Sequence, residues 1–206
     1  MFKSFFKDLF TYLVLSLSTF LMLRTIIGYA NFDTNYAFLA KKQEYLNNRF
    51  WLFCFYTHVF CSIFTLLAGF TQFSNHLLKN NRKLHRALGK IYIVFVLFIN
   101  FPAGLVMAYY ANGHLPSKIA FFILDILWFY FRLIALRKAK SKEFKEHKYY
   151  MIRSYALTFS AITLRIWKII LAPIILNQEH LYMVDAWMGF VPNLLLAEII
   201  IYKIKR

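Results

Sequence analysis

The stretch Glu146-His-Lys-Tyr-Tyr-Met-Ile-Arg-Ser-Tyr-Ala-Leu-Thr-Phe-Ser-Ala-Ile-Thr-Leu-Arg165 starts with charge and runs into an apolar segment long enough to cross a bilayer. On a helix of about 3.6 residues per turn, its small and polar residues share one narrow stripe, formed by His147, Ser154, Thr158, Ala161 and Arg165. Because lipid cannot satisfy polar groups, this stripe is predicted to face protein or water. The rest of the chain is therefore predicted to pack against it.

The composition is typical of a membrane protein. Of the 206 residues, 60% are hydrophobic and 17% are charged, whereas soluble domains carry about 25% charged residues. Successive apolar runs predict an all-α fold, a polytopic membrane helix bundle with six transmembrane helices. The predicted spans are about 9–30, 50–73, 88–110, 117–137, 149–173 and 186–203, in a single bundle over residues 1–206. Pro102 and Pro192 predict kinks in the third and sixth spans.

The basic residues lie mainly in the connections on one side of these spans. They comprise Lys3 and Lys7, five residues between 79 and 90, seven between 137 and 153, and three between 203 and 206. This bias places both termini in the cytoplasm, with Asp185 in an outer loop. The net charge of +16 therefore predicts contact with anionic lipid headgroups rather than with nucleic acid.

The first span is predicted to be a retained helix rather than a cleaved signal peptide. Its apolar run is long for a signal peptide, and Arg24 interrupts its end.

Five spans each carry a polar residue at a similar depth, about 10–15 Å below the outer surface at 1.5 Å per residue. This outer-half polar layer comprises His58, Asn100, Asp125, Arg165 and Asn193. Because an isolated charge is costly at this depth, an ion pair between Asp125 and Arg165 with His58 nearby is predicted. Two interpretations stay open: a functional site for a ligand or for protons, and a polar clasp that fixes helix register.

A second cluster lies at the cytoplasmic face and comprises His85, Arg86, Lys90, His147 and Arg153. His85 and His147 each precede a predicted span, so both are candidate ligands of one haem iron, with the basic residues meeting the propionates. An anionic headgroup, a quinone or a divalent metal fits the same residues. A set of solvated loop side chains is the alternative without a ligand.

Two further ionisable residues lie within predicted spans. Arg132 is near enough to the cytoplasmic end of its span to extend to the interface, so it is predicted to need no partner. Glu198 lies near the midplane of the last span and is a proton-carrier candidate.

A weak internal repeat links the two cytoplasmic histidines. A basic residue follows each histidine by five or six positions, and a tyrosine follows two positions later. The pattern predicts that spans two and three and spans four and five are parallel copies of one hairpin. Because the offsets differ by one residue, coincidence stays an alternative.

Several motifs resemble a bacterial membrane-protein family known as domain of unknown function 2306. They are His58, Gly69-Phe70-Thr71-Gln72-Phe73, Leu84-His85-Arg86 with Gly89-Lys90-Ile91-Tyr92, His147, Met151-Ile152-Arg153-Ser154-Tyr155-Ala156-Leu157-Thr158-Phe159 and Thr163-Leu164-Arg165. The resemblance implies a multi-pass protein of the bacterial cytoplasmic (inner) membrane and brings no particular activity. It suggests a polar signature of His58, His85, His147, Arg153, Arg165 and Glu198, to which Asp125 does not belong.

The helices also resemble, more loosely, transmembrane cytochrome b-type four-helix cores. Those proteins pair four histidines at two depths, whereas His58 is the only histidine of the outer layer here. The leading functional prediction is binding of a redox cofactor, a single haem b or a quinone, in a protein that relays electrons or protons. The alternatives are a small-solute or proton-coupled transporter and a non-catalytic membrane assembly or lipid-binding protein.

Overall fold

The computed structural model describes the backbone of residues 2–206 and the side chains of residues 9–74 and 76–206. All regular structure in this part of the chain is helical, which confirms the all-α prediction. The side chains of Lys3 and Lys7, used above for orientation, lie outside the described residues. The chain divides into two compact units, Met1–Phe95 and Val96–Arg206, and a single bundle over the whole chain stays a prediction.

The first unit is built around one long helix. Its helices are α1 (Phe2–Tyr29), α2 (Arg49–Gln72), α3 (Asn75–Asn80) and α4 (Arg82–Val94). Helix α2 packs against both α1 and α4. It begins where the Asn48 side chain accepts a hydrogen bond from the Trp51 backbone N–H at 3.0 Å, the usual cap for the unpaired amides of a first turn.

The connection between α1 and α2 folds into two 3₁₀ turns, Leu39–Lys41 and Gln43–Tyr45. Leu39 is fully buried and Lys42 is only 2% exposed. The Lys42 ammonium lies 4.8 Å from the centre of the Tyr45 ring, within the range of a cation–π contact. This connection is therefore a packed part of the first unit.

The second unit is centred on α6. Its helices are α5 (Phe101–Tyr109), α6 (His114–Lys140), α7 (Phe144–Thr158), α8 (Ser160–Leu171), α9 (Gln178–Met188) and α10 (Val191–Lys205). Helix α6 packs against α5, α7 and α9. Helix α7 also packs against α10, and α8 packs against α9.

Five helical segments are long and apolar enough to cross a membrane, and the number is six if the bent pair α7 and α8 counts as one span. The other five are Leu9–Tyr29, Arg49–Gln72, Arg82–Tyr109, His114–Lys140 and Gln178–Lys205. The last segment begins eight residues before the predicted position of 186. Asp185 therefore lies in helix α9, within a candidate membrane span, and not in a loop.

Three spans are interrupted. A π-helical turn over Phe95–Asn100 precedes Pro102 in the third span, and the last span breaks between α9 and α10 just before Pro192. Both prolines lack the N–H group that would continue the helical bonding. The fifth span bends by 43° between α7 and α8, at Phe159, without a proline.

Candidate functional site: the seam between α6 and α7

One face of α6 meets one face of α7 along a line of polar side chains. The members recur at intervals of three and four residues, which places each set on one helical face. We call this line the α6–α7 seam, formed by Trp128, Arg132 and Ala135 of α6 with His147, Met151, Ser154 and Thr158 of α7. Asp125 extends it, because it lies on the same face of α6 one turn before Trp128. The two helices run antiparallel, because the start of α7 contacts the end of α6.

Arg132 lies at the middle of the seam. Its side chain is fully buried, its Nη1 donates to Met151 Sδ at 2.7 Å, and its Nη2 donates to Ser154 Oγ at 2.7 Å. Both of these acceptors are electrically neutral. The prediction that Arg132 extends to the interface and needs no partner is wrong, because its side chain is fully buried and bonded to two residues of α7.

Hydroxyl groups continue the seam beyond Arg132. The indole Nε1 of Trp128 donates to Thr158 Oγ1 at 3.2 Å, and both side chains are buried. Thr158 Oγ1 also lies 3.3 Å from the backbone carbonyl of Ser154. Ser154 and Thr158 thus form adjacent polar groups one turn apart on α7.

His147 ends the seam on the side of the α6–α7 connection. Its Nδ1 lies 2.8 Å from the backbone carbonyl of Ala135. Because a carbonyl only accepts hydrogen bonds, Nδ1 carries a proton and Nε2 bears the lone pair of the neutral ring. This contact orients the imidazole as backbone carbonyls orient metal-ligating histidines.

His85 makes a similar contact in the first unit, with its Nδ1 3.3 Å from the carbonyl of Thr71. Among the described residues, no group of three or more His, Cys, Asp or Glu side chains is arranged to hold a metal ion. His85 and His147 belong to different units, so their joint ligation of a haem stays a prediction.

Asp125 ends the seam on the opposite side and lies against α5. Its side chain is buried, and a Cβ atom added to Gly104 would lie 2.6 Å from Oδ2 of Asp125. Only glycine therefore allows α5 to approach the carboxyl group this closely. Within the part of the chain that the structure describes, Asp125 forms no hydrogen bond or ion pair.

The predicted ion pair between Asp125 and Arg165 is therefore wrong. Arg165 is exposed, and its Nη1 donates to the carbonyl of Ala161, one turn earlier. The physical reason is the 43° bend at Phe159, which interrupts the stripe predicted from a continuous helix. The residues before the bend face α6, whereas Ala161 and Arg165 are exposed.

Asn193 contacts both the bend between α7 and α8 and the break between α9 and α10. Its Nδ2 donates to Thr163 Oγ1 at 2.9 Å, and it lies 3.2 Å from the carbonyls of Ala156 and Gly189. Thr163 Oγ1 in turn lies 2.5 Å from the carbonyl of Gly189. These bonds connect the bend between α7 and α8 to the break between α9 and α10, which supports the polar-clasp interpretation for Asn193.

The structure pairs Arg153 with Glu198, two residues that were predicted to act at different sites. Arg153 Nε donates to Oε1 at 2.5 Å and Nη2 donates to Oε2 at 2.8 Å, a bidentate geometry that fixes both side chains. The pair joins α7 to α10. A carboxylate held in this way is less suited to carry protons than Asp125.

Asp185 is a buried carboxyl group that the sequence prediction missed. It is 2% exposed, and its Oδ1 has no hydrogen-bond partner among the described residues. The capping residue Asn177 was the available signal, since its Oδ1 accepts from the backbone N–H groups of Glu179 and His180. A helix start at this position places Asp185 inside the span.

The remaining predicted residues divide between the units. His58 is half-buried on α2, and Arg86 and Lys90 are exposed on α4, all in the first unit. Asn100 is fully buried in the second unit. The proximity of His58 to Asp125 and Arg165 stays a prediction, because these residues lie in different units.

Comparison with known proteins gives one match. Residues 55–201 match the profile of a family described as predicted membrane protein, DUF2306. No curated protein and no solved structure matches the chain. The matched region covers more than half of the 206 residues and includes the whole α6–α7 seam. This chain therefore belongs to the DUF2306 family of predicted membrane proteins.

Proposed function

We propose that this protein is a proton relay of the bacterial cytoplasmic membrane that works with a redox cofactor, a single haem b or a quinone. The observation that supports this most is the α6–α7 seam. It has a buried carboxyl group without an ion pair at one end, an imidazole at the other end and hydroxyl groups between them. Chains of this composition inside membranes are typical of proton pathways.

The length of the seam suits this role. Asp125 and Ala135 are ten residues apart on α6, which is about 15 Å along the axis and about half of the 30 Å hydrocarbon core. Thr158 and Ser154 lie between the two ends. A hydroxyl group both donates and accepts hydrogen bonds, so it can pass a proton between neighbours.

Arg132 controls the relay in this proposal. Its guanidinium keeps its charge, and in a low-dielectric interior that charge opposes the approach of an excess proton. Fixed positive charges exclude protons from water pores in the same way. We therefore expect proton transfer along the seam to be slow at rest but faster than the leak of empty liposomes, and to increase when the partner reaction changes the charge of the seam.

The test is proton flux into liposomes that contain the purified protein and a trapped pH-sensitive dye. Asp125→Asn keeps the shape of the side chain but removes its titration, so we expect flux to fall by about tenfold or more. Glu143→Gln is the matched control, because it removes a half-exposed carboxylate outside the seam. Equal flux in Asp125→Asn and unmodified protein would contradict the proposal, and so would unmodified protein that conducts no better than empty liposomes.

The cofactor is tested separately by the absorption spectrum and by solvent extraction of the purified protein. A Soret band that disappears in His147→Ala supports haem ligation, and an extractable quinone supports the second cofactor. A colourless protein without quinone excludes the redox part of the proposal and leaves the proton relay to be judged by flux.

A second candidate function is proton-coupled transport of a small solute. It is favoured by the interruptions of the fifth and last spans and by the Asn193–Thr163 contact that joins them, since interrupted helices build many transporter sites. Uptake that is lost in Thr163→Val and insensitive to His147→Ala would favour this candidate over the redox relay.

A further inference from the structure

The geometry points to the segment from Ser74 to Lys90 as a binding surface for anionic phospholipid headgroups. It covers α3 and the first two turns of α4. Its five basic residues are all exposed, namely Lys79, Arg82, Lys83, Arg86 and Lys90. None of the five side chains forms a hydrogen bond or ion pair with a described residue. This inference does not depend on the proposed function.

The surrounding sequence offers these cations no internal counter-charge. From Tyr45 to Leu124 the chain contains no Asp or Glu. The α6–α7 connection differs, because it contains Glu143 and Glu146 among its basic residues. There, Lys138 Nζ lies 2.6 Å from Glu143 Oε2, so part of the charge is neutralised within the protein.

The segment also has an apolar component that suits the edge of a bilayer. Leu78 is 47% exposed and Leu84 is 43% exposed. Apolar side chains beside Lys and Arg are typical of helices that lie in the headgroup region. Clusters of four to eight such cations beside a membrane span attract anionic lipids, and arginine binds phosphate through two parallel hydrogen bonds.

Contacts with α2 hold the surface in place. The Gln72 Nε2 donates to the carbonyl of His85 at 3.3 Å, and the Nδ1 of His85 lies near the carbonyl of Thr71. Both contacts fix the first turns of α4 against the end of α2. The four basic side chains of α4 are exposed, so headgroup phosphates can reach them.

The experiment measures which lipids stay with the protein. Full-length protein is reconstituted in vesicles of equal parts phosphatidylcholine and phosphatidylglycerol and extracted in mild detergent. The retained lipids are then counted by mass spectrometry. We expect phosphatidylglycerol to be enriched several-fold, and the enrichment to be lost when the five basic residues are replaced by glutamine. The matched control replaces Arg137, Lys138, Lys140, Lys142 and Lys145 by glutamine and should keep most of the enrichment.

Three results would overturn the proposed lipid-binding surface. Equal loss in the two variants, or loss only in the control, would overturn it, because charge alone or the other connection would then select the lipid. Absence of enrichment in the unmodified protein would overturn it as well. The variant with five substitutions is replaced by double variants if it does not elute as a single species. Arg82→Gln with Arg86→Gln should then lower the enrichment of phosphatidylglycerol, whereas Arg82→Lys with Arg86→Lys should preserve it.

Discussion

The turn around His85 in the first unit and the turn around His147 in the second share one local arrangement. Each histidine is the fourth residue of its helix, α4 or α7. Each points its Nδ1 at a carbonyl near the end of the preceding long helix, that of Thr71 at 3.3 Å or that of Ala135 at 2.8 Å. The weak repeat in the sequence thus corresponds to the same contact in both units.

The residues around this contact differ between the two units. Three residues before the acceptor carbonyl, the first unit has Ala68 and the second has Arg132. Ten residues before it, the first unit has Cys61 and the second has Asp125. The same hairpin therefore carries a neutral seam in one unit and a charged seam in the other, which indicates that the charges of the second unit serve a purpose beyond holding the hairpin.

The largest effect is expected when the first unit is given the charge of the second. Ala68 is buried, and Ala68→Arg places a guanidinium where Gly89 and Tyr92 take the positions that correspond to Met151 and Ser154, so one of the two acceptors is missing. We expect a cost of about 3 kcal/mol and a large loss of folded protein, measured as the monodisperse fraction on size-exclusion chromatography. Ala68→Met is the control for side-chain volume, and equal yields of both variants would show that the first seam also accepts charge.

A smaller effect is expected from two glycines that face polar side chains. Gly104→Ala places Cβ 2.6 Å from Oδ2 and 3.0 Å from Cγ of Asp125, a short side chain with little room to move. We expect it to destabilise the protein by about 1–3 kcal/mol, measured as a lower melting temperature. Gly89→Ala meets only the flexible end of Gln72 and should cost less.

A double variant tests whether Asp125 is the group that Gly104 accommodates. Combining Gly104→Ala with Asp125→Ala removes the opposing carboxyl group, so most of the lost stability should return. Additive losses in the double variant would show that Asp125 is not what Gly104 accommodates.

The smallest effect is expected from the two histidine contacts themselves. Replacing either histidine by alanine removes its hydrogen bond to the carbonyl, worth about 1 kcal/mol, and the loss should be larger at His147, where this contact is shorter. His147→Asn keeps a side-chain donor near the position of Nδ1 and should recover part of the stability. Thermal unfolding in detergent checks both expectations, and a larger loss at His85 would mean that the contact lengths do not rank the two turns.

The sequence predicts the number and type of spans well because apolar length is a local property of the chain. The neighbours of each polar residue depend on tertiary packing, which the periodicity of the sequence does not reveal. Arg132 was predicted to reach the interface because its acceptors lie about 20 residues further along, on α7. The Arg153–Glu198 pair joins positions 45 residues apart.

The ion pair between Asp125 and Arg165 was predicted wrongly for a different reason. Helical spacing predicts which residues share a face only while the helix stays regular. The bend at Phe159 interrupts the helix, and no proline in the sequence predicts it. The interruptions of regular α-helix beside Pro102 and Pro192 were predictable because proline removes a backbone donor.

Proton flux in the two histidine variants, measured side by side in the same liposomes, shows whether the α6–α7 seam carries the protons. If the charged seam of the second unit carries the protons, His147→Gln should lose about tenfold or more of the flux, and His85→Gln should stay close to the unmodified protein. Equal losses in both variants, or a greater loss in His85→Gln, would contradict the claim that the α6–α7 seam is the pathway.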